Sequence, residues 1–184
     1  MKLLDLTIPY EPLEKKALYD EIAKEYRFLG NGVPKVRLLI ATEPQDRTLP
    51  NDFAEKLVDM LPTLNYQLCT NHKQQSFADH VKEEQNDLPH VLEHVIIGLM
   101  MMVKNSNYHG ITMGNDKLAE IIVTYNNKKV ALEIVYLAIQ LLNALLVGSE
   151  IDLIERVKKI NGGKVLVWRK NAKSKVCTEQ KFTD

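Results

Sequence analysis

Asp87 to Lys104 reads DLPHVLEHVIIGLMMMVK, the most apolar long segment of a 184-residue chain. Between Leu88 and Val103 the only charged or imidazole-bearing residues are His90, Glu93 and His94. Pro89 suits the first turn of a helix, and the length of the apolar run favours a buried helix over a strand. Helical positions i, i+3 and i+4 share a face, so the three polar groups form one polar edge on an apolar rod. A rod of this kind needs packed layers around it, and the flanking segments supply them.

Downstream, Asn105 to Gly110 is turn-rich, and Ile111 to Met113 reads as a short strand ending at Gly114. Leu118 to Tyr125 (LAEIIVTY) is β-branched and aromatic, and Asn126-Asn127 ends it, which predicts a strand. Lys128 to Val147 places Val130, Ile134, Leu137, Leu141 and Leu145 on one helical face, with Gly148 as its stop. Ser149 is expected to cap a last helix through Leu153, Ile154 and Val157, closed by Asn161-Gly162-Gly163. Lys164 to Trp168 reads as a final strand, and 169–184 as a polar, lysine-rich, mobile tail.

Upstream, Ser76 fits the cap of a short helix through Phe77, His80 and Val81. Tyr66 to Thr70 reads as extended. Asn51 is expected to cap a helix carrying Glu55, Leu57, Val58 and Leu61, which Pro62 ends. Val36 to Ala41 is a strand between Pro34 and Pro44. Leu18, Ile22, Tyr26 and Leu29 follow Pro12 at helical spacing, and Lys2 to Ile8 alternates as a strand. Strands and helices alternate without repeats. The expected class is α+β, a two-layer sandwich of a mixed sheet with helices, in one domain over 1–168 followed by the tail at 169–184.

Lys plus Arg and Asp plus Glu balance at 24 each, so no global charge draws the chain to nucleic acid or to a membrane surface. Cys69 and Cys177 form no CxxC pair, which fits a reduced, cytoplasmic setting. The start, MKLLDLTIPYEP, is too short and too quickly acidic for a signal peptide. No Walker loop, GxSxG elbow or dinucleotide fingerprint is present; GNGVPK at Gly30 to Lys35 reads as a turn.

His90-x-x-Glu93-His94 is HxxEH, the reverse of HExxH. Two neutral imidazoles at i and i+4 reach one point and suit zinc, which normally takes a third protein ligand and a water. The carboxylate between them then stands as general base toward that water. The competing reading is a satisfied internal network in which Glu93 pairs a protonated histidine, because structural ion pairs occupy such positions too. Glu120 on the best strand and Glu133 in the long helix are the candidate third metal ligands, although each alone reads as a solvated edge residue. His72, His80 and His109 lie in polar surroundings and read as surface histidines. Met100 to Met102 read as packing.

LPTLNYQLC (Leu61 to Cys69), Phe77, PHVLEHVIIGLM (Pro89 to Met100) and IIVTYNNKKVALEIVYLAIQLL (Ile121 to Leu142) together resemble the N-terminal domain of cyanophycin synthetases. HVLEHV carries most of that resemblance, which covers about half of the chain. Those enzymes join aspartate and arginine into a polymer with ATP, in further domains that this chain lacks, so an ATP-dependent ligase is not expected. The resemblance implies a metallopeptidase-like centre on the HxxEH helix: His90 and His94 as zinc ligands, Glu93 as base, and a peptide or peptide-like polymer as substrate. The family often has glutamate just before the strand-ending tyrosine, where this chain has Thr124, and its glycine- and arginine-rich segment is here NHKQQS (Asn71 to Ser76). Those departures favour the alternative, a non-catalytic binding module or an accessory subunit. Its partner would be a polymer, a separate ligase or a second copy of the chain.

Overall fold

The polar edge of the central helix is placed by one antiparallel sheet and a helical layer, seen in a computed structural model. It describes residues 2–7, 33–41, 49–68, 76–83, 88–105, 109–114, 118–167 and 178–181. The helix expected after Pro12 lies outside these residues, as do Cys69 and His72.

The elements in chain order are strands β1 (Lys2–Thr7) and β2 (Lys35–Ala41), helix α1 (Phe53–Met60), a 3-10 turn (Pro62–Tyr66), and helices α2 (Phe77–Glu83) and α3 (Leu88–Met102). Strands β3 (Gly110–Gly114) and β4 (Leu118–Thr124), helices α4 (Lys128–Val147) and α5 (Leu153–Ile160), and strands β5 (Lys164–Val167) and β6 (Thr178–Lys181) follow. The main sheet has the order β1-β2-β4-β3. Each of its pairings is antiparallel, so the α+β class holds while the expected mixed sheet is corrected.

Register explains which side of the sheet meets the helices. Leu38 lies opposite Ile121 and Val36 opposite Val123, while across the other edge of β4 Thr112 lies opposite Ile121 and Gly110 opposite Val123. Directly opposed residues share a face, so these six side-chain positions line the helical layer. The buried aliphatics among them join one core with α1, α2, α3 and α4. Arg37, Glu120, Ile122 and Thr124 belong to the other face.

α3 is buried all round except at His90, as a helix between a sheet and a second helix must be. Each fully buried Leu, Ile or Met on it contributes about 1.5–3 kcal/mol relative to exposure. It packs on α4, on β3 and β4, and on the 3-10 turn. Its C-terminus closes as a Schellman motif: the Asn105 N–H reaches the Met100 carbonyl at 3.0 Å and the Lys104 N–H reaches that of Met101 at 3.3 Å. Lys104 takes the left-handed position there, at φ 53°. Asn105 then ties this end to the next helix. Its side-chain amide donates to the Asn127 carbonyl at 3.0 Å, and its Oδ1 accepts the Asn127 N–H at 2.5 Å. Asn127 itself caps α4 by accepting the Val130 N–H.

α4 has the bounds its periodicity predicts, and Gly148 ends it at φ 69°. By length and composition it is long and apolar enough to cross a membrane; here it lies against α3, α1 and α5. Four expectations are corrected. Asp52, not Asn51, is the N-cap residue of α1. Tyr66 ends a 3-10 turn instead of starting an extended segment, since Pro62 pre-sets the first turn. Asp152, not Ser149, caps α5, by accepting the Glu155 N–H at 2.9 Å. The C-terminal tail contains β6, which pairs antiparallel with β5.

Candidate functional site: an imidazole cluster beside a buried carboxylate

α3 brings His90, Glu93 and His94 to its buried edge, as the spacing requires. The adjoining α2 starts where the Ser76 hydroxyl accepts the Asp79 N–H at 3.2 Å, the cap expected from the sequence. That helix carries Phe77 and His80 into the same place. The Phe77 ring stacks on the His94 imidazole, with centroids 3.7 Å apart and planes 9° from parallel. It meets His90 edge to face at 5.4 Å and His80 at a tilt at 5.5 Å. His90 lies 4.9 Å from His94 and 5.5 Å from His80, centroid to centroid. The reading of His80 as a surface histidine is therefore wrong: it is only 4% exposed. Asp79 made its surroundings look polar, yet Phe77, His80 and Val81 form one helical face. His109 is exposed, as expected.

The other half of the edge faces the sheet. Glu93 is 5% exposed, and its Oε2 accepts the Thr112 hydroxyl at 2.6 Å. Gly110, two residues earlier on β3, makes room for it. A Cβ there would sit 2.8 Å from Glu93 Oε1 and 2.9 Å from its Cγ, closer than real Cβ contacts allow. The carboxylate is thus buried but hydrogen-bonded, which removes much of the cost of burying it.

His94 is 5% exposed. Its Nδ1 lies 2.8 Å from Gln67 Oε1, and the Gln67 Nε2 donates to the His94 carbonyl at 3.1 Å. Burial first, then the neighbouring His90 and His80, hold the imidazole well below the usual histidine range, so it is neutral at neutral pH. This predicts an acid-sensitive fold. A histidine kept neutral in the folded chain but free to protonate in the unfolded chain contributes its full stability above its ordinary pKa. That contribution is lost as pH falls from there toward the folded pKa. Urea midpoints of the metal-free protein should be flat through the mildly alkaline range and drop as pH falls below about 6.5. A flat profile across that window would contradict the burial of a neutral His94.

The proposed third donors do not join the cluster. Glu120 lies on the far face of the sheet, where its Oε1 meets Arg37 Nε at 2.5 Å. Strand alternation excludes it: Ile121, not Glu120, faces α3. Glu133 is half-buried on α4. Thr124 lies on the Glu120 face, and its hydroxyl donates to the His109 carbonyl at 3.1 Å. Among the described residues no group of three or more His, Cys, Asp or Glu side chains stands as a metal-holding set. The chemistry that is present consists of two adjacent imidazoles, one of them held neutral, with a third beside them and a buried carboxylate on the same helix. Gln67, Thr112 and His80 were missed by sequence reasoning. The first two come from an irregular segment and a short strand, whose side-chain directions depend on tertiary packing, and only the i, i+3 spacing from Phe77 pointed to His80.

These features define an α+β protein in which an HxxEH helix is held between a sheet and a helical layer. Residues 36–147, more than half of the chain, match the cyanophycin synthase-like N-terminal domain, and the chain belongs to that family. The match runs from β2 to the end of α4 and takes in every residue of the cluster; β1, α5 and the β5–β6 pair lie outside it. No protein of curated function matches the chain.

Proposed function

We propose that the chain is a metal-dependent hydrolase of peptide-like bonds, with a peptide or a cyanophycin-like polymer as substrate. The observation that supports it best is the state of His94: neutral, held at Nδ1 by Gln67, and next to His90 one helical turn away. Neutral imidazoles whose second nitrogen is held by a hydrogen bond are the usual donors to zinc. His90 and His94 fit as two of the ligands, and they would hold the metal. When bound, a zinc ion supplies a water acidified to near neutrality.

The chain's own groups have separable tasks in this reading. Glu93 accepts a proton at its carboxylate, with Thr112 fixing its orientation through Oε2. Phe77 holds the plane of the His94 ring. Burial of Glu93 and His94 limits water around them and strengthens their charge-dependent contacts.

A second reading has its own support. No third donor stands with the pair among the described residues, and the Glu93 carboxylate already has a hydroxyl partner. On that reading the cluster is a satisfied polar network inside a binding module or accessory subunit. Elemental analysis separates the two. The hydrolase should purify with about one zinc per chain, and His90→Ala should lose it. A folded wild-type protein free of zinc after growth and purification with the metal supplied would remove the first reading.

A further inference from the structure

Gln67 follows the 3-10 turn, immediately before the bridge that pairs Leu68 with Ser76. Its backbone carbonyl accepts the Phe77 N–H at 2.9 Å, which ties it to the start of α2. Its side chain is buried, at 7% exposure, and both ends of the amide touch one residue, His94. The end at the His94 carbonyl must be the NH2 group, because a carbonyl oxygen only accepts. The end at Nδ1 is then the amide oxygen, which also only accepts, so Nδ1 must carry the hydrogen. Turning the amide over would set oxygen against oxygen at the backbone. A neutral imidazole has one N–H, and Nε2 is left with the lone pair. Among the described residues no hydrogen bond engages Nε2 and Thr63 Oγ1 is the only sealed side-chain polar atom without a partner, so Nε2 is not sealed.

Gly98 is what allows the amide to reach. It lies one turn after His94 on α3, where the 3-10 turn crosses the helix. A Cβ there would sit 2.6 Å from Thr63 Oγ1 and 3.0 Å from Gln67 Nε2. Any larger residue there displaces the Thr63, Gln67 and Leu61 side chains and strains the amide's contact with the His94 carbonyl.

We propose that Gln67 is a positioning residue that selects the tautomer of His94, holding hydrogen on Nδ1 and offering Nε2 as the lone-pair donor of the site, with Gly98 providing the close approach. An unrestrained histidine side chain in water prefers hydrogen on Nε2, so the contact reverses the ordinary choice. The inference concerns the imidazole itself. Its consequence for metal affinity rests on the hydrolase reading above.

The test is a long-range nitrogen-15 NMR spectrum of the labelled, metal-free chain at mildly alkaline pH, where each histidine nitrogen reports whether it carries hydrogen. In the wild type, His94 should show a protonated Nδ1 and an unprotonated Nε2. Gln67→Glu keeps an acceptor at Nδ1 and should keep this pattern, although it sets oxygen against the His94 carbonyl and so lowers stability. Gln67→Leu keeps most of the volume without the acceptor and should move His94 toward hydrogen on Nε2. A wild-type spectrum with hydrogen on Nε2 overturns the proposal. So does a folded Gln67→Leu protein with the wild-type pattern, and the wild-type spectrum decides even if the variants fail to fold. In a parallel zinc titration, Gln67→Leu should bind about 10–100-fold more weakly than the wild type. A wild type that binds no zinc overturns the hydrolase reading alone, because the tautomer spectrum decides this proposal by itself.

Discussion

Phe77→Ala is expected to lower unfolding stability by about 3–5 kcal/mol, the range for deleting a buried aromatic ring. Typical domains have only about 5–15 kcal/mol in total, so much of the folded population would be at risk. The ring is 0% exposed and among the largest fully buried side chains. Its loss opens a cavity at the junction of α2, α3 and the residue after the 3-10 turn. It also strips one face of the His94 imidazole, stacked at 3.7 Å, and removes the contact edge for His80 and His90. Phe77→Leu separates these effects. It keeps most of the apolar volume but no ring, so the part lost relative to wild type includes the ring–ring interaction, about 0.5–1.5 kcal/mol per pair. Urea denaturation with a common m-value checks both variants. An alanine variant within about 1 kcal/mol of wild type would mean that Phe77 does not organise the cluster.

The fold was legible where local rules and packing agree. α4 has its predicted bounds because Asn127 and Gly148 are strong end signals and the apolar face between them is continuous. β4 and β2 were legible because β-branched runs between turn residues have few alternatives. Pairing was not, because antiparallel order and register depend on which strands meet. That is also why Glu120 failed as a ligand candidate. Its place on a strand was foreseeable, but the face it shows to α3 is set by the register of β4 against β2 and β3. The histidine pair and Glu93 were legible because helical spacing alone puts them together. Gln67 was invisible for the opposite reason: its side chain finds His94 through a crossing of the 3-10 turn over Gly98, which no local period encodes.

Gly98 and Gly110 show how the chain builds its site by close approach. Each sits where a methyl group would strike the polar machinery: Gly98 against Thr63 and Gln67, Gly110 against Glu93. One lets the 3-10 turn reach α3 beside His94, and the other lets β3 reach it at Glu93, on the adjoining side. Two of the helix's three polar residues, His94 and Glu93, are therefore held from different layers of the fold, through Gln67 and Thr112 respectively. That division means each can be changed without the other, which makes the carboxylate a clean test of chemistry.

Glu93→Gln should leave the fold and any bound zinc in place while hydrolysis falls by about 10²–10⁴-fold, the usual contribution of a general base. The substitution is nearly isosteric, so it fits the space that Gly110 leaves beside the side chain. It also keeps an oxygen to accept from the Thr112 hydroxyl, which can rotate to suit either end of an amide. The negative charge goes, and with it the ability to take a proton. A binding module makes the opposite prediction, since a satisfied network has no turnover to lose and the variant would differ from wild type in stability alone. Comparing zinc content, urea midpoint and cleavage of a peptide or cyanophycin-like polymer in wild type and variant therefore reads two separate properties of one residue. Turnover that persists at the wild-type rate in Glu93→Gln would show that the base lies elsewhere. Equal midpoints and equal zinc content with turnover lost would point to this carboxylate as the base.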